Sequence, residues 1–164
     1  MRYVIRERLM ALGNDFTVQD DAGVDRFIVE GKAVTSTQKT RLFDVSGNEL
    51  AMIQRKTMAM TPTYTITRAD GASVRMKRKG SSLLKAKYVV EGAGRDLVVQ
   101  GSYLDHEYVI SRGGAPAATV SKRWVTIPDT FGVDVAPGED PVLMIGLVVA
   151  LALAMDALDA QRRR

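Results

Sequence analysis

The sequence contains no cysteine, one histidine and one tryptophan among its 164 residues. The absence of cysteine excludes disulfides, thiolate metal sites and cysteine nucleophiles. The one histidine, His106, lies between Asp105 and Glu107, and neighbours in a strand point to opposite faces, so this trio does not predict a catalytic triad. No glycine arrangement meets the requirements of a phosphate-binding loop or a dinucleotide site. The sequence therefore predicts a protein that is not an enzyme and that holds no cofactor.

Strong charge of either sign is also lacking, since the formal net charge is +4 and the pI is near 9.5. Such a mildly basic chain allows anionic partners but does not require them. The length is enough for one domain with a sizeable core, so we expect residues 1–164 to form a single domain. Near the N-terminus, Arg6, Glu7 and Arg8 interrupt the apolar residues, which argues against a signal peptide. We expect a cytoplasmic protein.

Before residue 140 the pattern is one of short apolar-alternating runs separated by turn residues. The clearest hairpin is "TYTITRADGASVRMKRK", in which Tyr64 and Ile66 alternate with threonines and Asp70-Gly71 turns the chain. About a dozen such strands at close, regular spacing predict an all-β sandwich or barrel.

Three hairpins end in cations, at Arg55-Lys56, Lys77-Arg78-Lys79 and Lys122-Arg123. An internal duplication would produce this order, and so would the general likeness of hairpins in an all-β protein. Both explanations remain open.

The last segment, "DPVLMIGLVVALALAMDALDAQRRR", has no charge from Pro141 to Met155. Asp140 before Pro141 predicts a helix start, because aspartate accepts hydrogen bonds from exposed amides and proline suits the first helical position. We expect a helix over about 141–160. Because it is apolar on every side, it belongs either in lipid or in a protein interior.

Three observations bear on this choice. The charge-free part spans about 22 Å, against a hydrocarbon core of about 30 Å. Gly146, Ala150 and Ala154 form a stripe of small residues, which in lipid would be a helix-pairing face and inside a protein lets neighbouring backbones approach closely. A dozen strands also need something against which to bury their apolar faces. The residues therefore predict a helix enclosed by the sheet.

The strongest charge feature is "RMKRKGSSLLKAKY", with six cations around a Gly-Ser turn. Alternate strand residues face one way, so Arg75, Lys77 and Lys79 share a face, and the return of the hairpin brings Lys85 and Lys87 near. With Arg78, these side chains are our candidate site for a phosphorylated lipid headgroup or a nucleic-acid backbone. The alternative is a solvated strand face that resists edge pairing.

Four blocks in order, "DDAGVDRFIVEGKA", "KTRLFDVSGNELAMIQRK", "HEYVISRGGAPAATVSKRW" and "DTFGVDV…GEDPVLMIGLVVALALAMD", resemble the LURP-one-related family. This family is related to the Tubby C-terminal domains and the phospholipid scramblases. The resemblance implies a closed twelve-stranded antiparallel barrel around one central C-terminal helix. In Tubby domains a Lys/Arg-rich strand followed by a Ser-containing turn binds phosphoinositides, and the matching residues here are Lys77 and Lys79.

The same resemblance raises calcium binding, because scramblases respond to calcium and have a similar acidic segment before the last helix. Asp129, Asp134 and Glu139 carry the hard oxygen ligands that calcium prefers, while Asp140 is already assigned to the helix start. The spacing of an EF-hand is absent, so these residues are a candidate set rather than a motif.

The sequence thus favours a binding module for anionic phospholipid headgroups, or for an acidic partner, at a membrane surface. The first alternative is a nucleic-acid-binding protein that uses the same cations, although aromatic residues are not interleaved with them. The second is a scramblase-like membrane protein whose C-terminal helix is inserted into lipid.

Overall fold

The computed structural model describes residues 1–6, 16–30, 39–56, 63–80, 82, 84–92, 96–103, 105–122 and 130–162. At residues 6, 16, 156 and 159–162 the description covers the backbone alone. The elements are β1 (Arg2–Arg6), β2 (Phe16–Asp20), β3 (Asp25–Glu30), β4 (Lys39–Asp44), β5 (Glu49–Lys56), β6 (Thr63–Arg68), β7 (Ser73–Arg78), β8 (Lys85–Glu91), β9 (Leu97–Ser102), β10 (Glu107–Arg112), β11 (Ala115–Ser121), β12 (Thr130–Val135) and α1 (Pro141–Arg162).

The twelve strands form one closed antiparallel barrel. Each strand pairs with its neighbours along the chain, and β1 pairs with β12 to close the sheet. Because consecutive strands run in opposite directions, the strand ends alternate between two rims. We call the rim where α1 begins the upper rim and the opposite one the lower rim. The predicted closed barrel is confirmed.

Alternation along the strands decides which side chains enter the barrel. In β6, Tyr64 and Ile66 are buried, and across the ladder in β7 they face Met76 and Val74, which are buried too. The residues between them are partly or fully exposed on the outer face, apart from the buried Thr63 at the start of β6. Burial of one face in each strand thus follows the period of two that the sequence shows.

Aspartates and glycines shape the tight turns of the upper rim. Asp20 accepts hydrogen bonds from the amides of Ala22 and Val24, both at 3.0 Å, and Asp44 binds the amides of Ser46 and Asn48 in the same way. Gly23 and Gly47 have φ angles of 79° and 89°, a left-handed conformation that costs glycine little. A repeated Asp-x-x-Gly turn therefore closes both hairpins.

Helix α1 begins as the sequence predicts. The Asp140 carboxylate accepts a hydrogen bond from the Val142 amide at 3.0 Å, and its carbonyl oxygen accepts one from Met144 at 3.1 Å. Pro141 is the first helical residue. An ion pair with Arg68, at the end of β6, ties the same carboxylate to the barrel wall.

The helix lies inside the barrel. Its residues from Leu143 to Ala152 are buried among the inward side chains of the strands. At Gly146 an added Cβ would lie 3.2 Å from Cγ2 of Ile66, so the small-residue stripe lets the helix approach β6 closely. The prediction of an enclosed helix is confirmed. In the part of the chain that the structure describes, no helix is long and apolar enough to cross a membrane.

Candidate functional site

The outward cations of β7 and β8 alternate with buried residues. In β7, Arg75 and Lys77 are separated by the buried Met76. In β8, Lys85 and Lys87 flank the buried Ala86. The two strands are antiparallel neighbours, so the return of the hairpin brings both sets onto one outer face, as the sequence predicts.

Just beyond β7, Lys79 continues the ladder. Its amide donates a hydrogen bond to the carbonyl oxygen of Lys87 at 2.7 Å, which places the two lysines opposite each other. All three side chains of Lys79, Lys85 and Lys87 are exposed. We call these three residues the lysine face; it lies at the lower rim.

The cations differ in their ion pairs. The Lys77 ammonium lies 3.4 Å from the Glu91 carboxylate, and both side chains are partly exposed. The ion pairs among the described residues include none of Lys79, Lys85 or Lys87. Within the predicted set, Lys77 is therefore compensated by Glu91, whereas the lysine face and the exposed Arg75 are in none of the described ion pairs.

Arg78 points the other way. It pairs with the buried Tyr88 in the ladder, and its guanidinium carbon lies 6.0 Å from the centre of the Tyr103 ring. Its Nη2 donates a hydrogen bond to the carbonyl oxygen of Ser82 at 2.5 Å. The structure thus divides the predicted cations: Arg78 fastens the β7–β8 turn, whereas the other cations lie outside. The sequence could have shown that Arg78 faces away from Lys77, because the two are neighbours in a strand and strand neighbours point to opposite faces.

Buried tyrosines lie beneath Arg78. The hydroxyl groups of Tyr88 and Tyr103 are 2.6 Å apart, and the Tyr108 hydroxyl donates to Sδ of Met155 in α1 at 2.7 Å. Burial, and then the hydrogen bond with Tyr103, raise the pKa of Tyr88 far above its usual value. The Tyr88 phenol therefore stays neutral, and the hydrogen bonds of the three tyrosines support the structure. Sequence reasoning missed Tyr103 because its contacts come from three different strands: Arg78 of β7, Tyr88 of β8 and Tyr108 of β10.

The predicted calcium ligands do not form a group with one another in the described structure. Asp134 lies near Arg2 and the N-terminal amine, at 4.0 and 3.9 Å, and Glu139 receives two hydrogen bonds from the Arg112 guanidinium at 3.0 and 3.2 Å. Asp129 lies outside the described residues. Among the residues described, no three acidic or histidine side chains are arranged to hold a metal.

His106 lies in the turn between β9 and β10, with a φ angle of 53°. Next to it, Glu107 accepts a hydrogen bond from the Ser121 hydroxyl at 2.7 Å. In a Ser-His-Asp triad the serine donates to an imidazole, whereas this serine donates to a carboxylate, so the pair does not match that triad. The apolar crevice that His106 lines beside Met155 is too narrow to admit water.

Comparisons with known proteins agree with this architecture. The chain is 23% identical to the uncharacterized protein YxjI of Bacillus subtilis over 151 residues, which cover 92% of this chain and 91% of that protein. It is also similar to the X-ray structure of a protein from Arabidopsis thaliana, with a TM-score of 0.59 and 18% identity over 92% of this chain and 87% of that one. The second likeness concerns the fold alone. The model of the LURP-one-related family matches residues 1–152, so the chain belongs to this family.

Proposed function

We propose that this protein is a non-enzymatic binding module that takes anionic phospholipid headgroups, of the phosphoinositide type, on its lysine face. The observation that carries the proposal is the opposition of Lys79 and Lys87 across the β7–β8 ladder, with Lys85 beside them. Like charges directly opposite each other in a sheet are unfavourable unless something compensates them.

A phosphorylated headgroup supplies the compensation. Each phosphate offers several acceptor oxygens, and a lysine ammonium donates up to three hydrogen bonds to them. Lysines act as mobile point charges rather than rigid forks, so the lysine face favours clustered phosphate charge over one fixed geometry. Arg75 lies further along the same outer face and extends its positive field.

Flotation with lipid vesicles tests the proposal. The wild-type protein should float with phosphatidylcholine vesicles that contain a phosphoinositide and remain unbound with pure phosphatidylcholine. The variant Lys79→Glu/Lys87→Glu should lose at least about tenfold in binding, since adjacent charges contribute about 1 kcal/mol each at such a surface. The control Lys39→Glu/Lys56→Glu makes the same change of net charge with exposed lysines of β4 and β5. Because these two lysines lie at the same rim and add to its long-range positive field, this variant should lose some binding, but much less than Lys79→Glu/Lys87→Glu.

Three outcomes would count against the proposal. Equal flotation with neutral and anionic vesicles would show that charge is not recognised. Equal losses in the two double variants would show that net charge acts without a site. Salt-dependent retention of duplex DNA, in the absence of any vesicle binding, would favour the nucleic-acid alternative.

A further inference from the structure

A large apolar side chain is exposed at the end of the turn between β7 and β8, where the chain enters β8. Leu84 directly precedes Lys85 and has 56% of its surface exposed. Single exposed leucines are common and need no explanation by themselves. This one differs from the common case because Lys85 directly follows it and because hydrogen bonds of the turn hold its backbone in place.

Four hydrogen bonds fasten this turn. The Ser82 hydroxyl accepts from the amides of Leu84 and Lys85 at 3.2 and 3.0 Å. The Leu84 carbonyl oxygen accepts from the Tyr103 amide at 2.9 Å, and the Ser82 carbonyl oxygen accepts from Arg78 at 2.5 Å. Because the backbone is tied on both sides of Leu84, its side chain is exposed without any need to order the backbone at binding.

The distribution of charge between the two rims determines which end of the barrel faces an anionic surface. Among the side chains that the structure describes, the cations near the lower rim are Lys39, Arg55, Lys56, Arg78, Lys79, Lys85, Lys87 and Lys122, and the acidic residues are Glu30, Asp105 and Glu107. Arg41, Arg75 and Lys77 lie between the two rims. The acidic residues near the upper rim are Asp20, Asp21, Asp25, Asp44, Glu49, Asp70, Glu91, Asp96, Asp134, Glu139 and Asp140, with Arg2, Arg26, Arg68 and Arg112 among them. An anionic surface therefore attracts the lower rim and repels the upper one.

We infer that the barrel docks on an anionic lipid bilayer with its lower rim, and that Leu84 inserts below the headgroups as an apolar anchor. The inference rests on the proposed function and specifies its partner: an intact bilayer surface rather than a free headgroup or a nucleic acid. Cations bind the phosphates, while an apolar side chain beside them gains free energy only where hydrocarbon lies beneath the phosphates.

The chain is well suited to a direct test, because it has no cysteine of its own. Leu84→Cys and Val45→Cys would each be labelled with an environment-sensitive fluorophore. Val45 is a matched control, since it is also 56% exposed but lies in the β4–β5 turn of the upper rim. With phosphoinositide-containing vesicles, the label at position 84 should shift to the blue and brighten at least about twofold, and the label at position 45 should not change.

A second variant separates the anchor from the cations. Leu84→Asn keeps every charge and should weaken binding to these vesicles about fivefold, because membrane affinity rises with the inserted apolar area. Its affinity for soluble inositol hexakisphosphate should equal that of the wild type, and unchanged thermal unfolding would show that the turn is intact.

The outcomes distinguish the two proposals. Vesicle binding that depends on Lys79 and Lys87, without any shift at position 84, would overturn the anchor and leave the proposed function standing. Equal shifts at positions 84 and 45 would overturn the docking orientation. If the protein binds to none of the vesicles, both the proposed function and the anchor are overturned.

Discussion

Lys79 and Lys87 face each other across an antiparallel ladder, joined by a backbone hydrogen bond of 2.7 Å. Two exposed ammonium groups in this position repel each other in the unbound protein. Such an arrangement lowers folding stability, and under the proposed function the same two charges raise the affinity for an anionic headgroup.

Replacing one of the two lysines by glutamate should therefore raise folding stability and weaken vesicle binding. Lys87→Glu places a carboxylate opposite Lys79, and we expect the free energy of unfolding to rise by up to about 1 kcal/mol. Vesicle binding should fall in the same variant. Urea unfolding and flotation measure the two quantities, and a variant that is less stable than the wild type would contradict the repulsion.

Two glycines should respond very differently to alanine. At Gly101 in β9, a Cβ would overlap the Glu107 carbonyl oxygen and lie 2.8 Å from the Cα atom of Tyr108. We expect Gly101→Ala to lower the free energy of unfolding by about 3 kcal/mol, because the backbone of β10 must move. At Gly146 the nearest atom belongs to the Ile66 side chain, which can adjust.

Gly146→Ala is thus the matched control. The gain in helix propensity, about 1 kcal/mol, opposes the crowding against Ile66, so its stability should stay within about 1 kcal/mol of the wild type. Urea denaturation of both variants gives the comparison, and similar losses at the two positions would contradict this account of the packing.

The buried pair Tyr88 and Tyr103 predicts coupling between two substitutions. Tyr103→Phe leaves the Tyr88 hydroxyl buried without this partner, so we expect a loss of about 1–3 kcal/mol. Tyr88→Phe/Tyr103→Phe removes both hydroxyl groups and should recover part of that loss. A double-mutant cycle based on urea unfolding checks the coupling, and strictly additive effects would exclude it.

Low pH should lower the folding stability through Asp20 and Asp44, the two aspartates of the upper-rim turns. Backbone hydrogen bonds, first of all that from the Val24 amide, and the Arg26 guanidinium hold the pKa of Asp20 below its ordinary value of 3.8. The side chain and amide of Asn48 lower the pKa of Asp44 in the same way. A carboxyl whose pKa is lower in the folded state stabilises the fold above the unfolded pKa. This stability is lost as the pH falls below about 4 and through the folded pKa.

Asp20→Asn should therefore lower the thermal midpoint at pH 7, and its difference from the wild type should narrow as the pH falls below about 4. Asp21→Asn, at the exposed next position, is the control and should have little effect. Thermal unfolding followed by circular dichroism between pH 2 and 7 measures both. A constant difference at every pH would contradict a role for the Asp20 charge.

Much of the fold follows from local sequence. The alternation of Tyr64 and Ile66 with threonines marks the buried face of β6, because side chains in a strand have a period of two. Asp140 and Pro141 mark the start of α1 because their chemistry suits the first helical turn. A helix apolar on every side has no stable place on a protein surface, so its burial could be predicted as well.

Some features of the candidate site follow from the sequence, and others depend on the tertiary structure. The sequence by itself determined that cations are concentrated around the β7–β8 turn and that Arg78 and Lys77 face opposite sides. Only the tertiary structure decided that Lys79 opposes Lys87, that Glu91 pairs with Lys77, and that Arg78 meets Ser82 and Tyr103. The physical reason is that a strand's period is local, whereas register, neighbours and the exposure of Leu84 depend on how all twelve strands close around the helix.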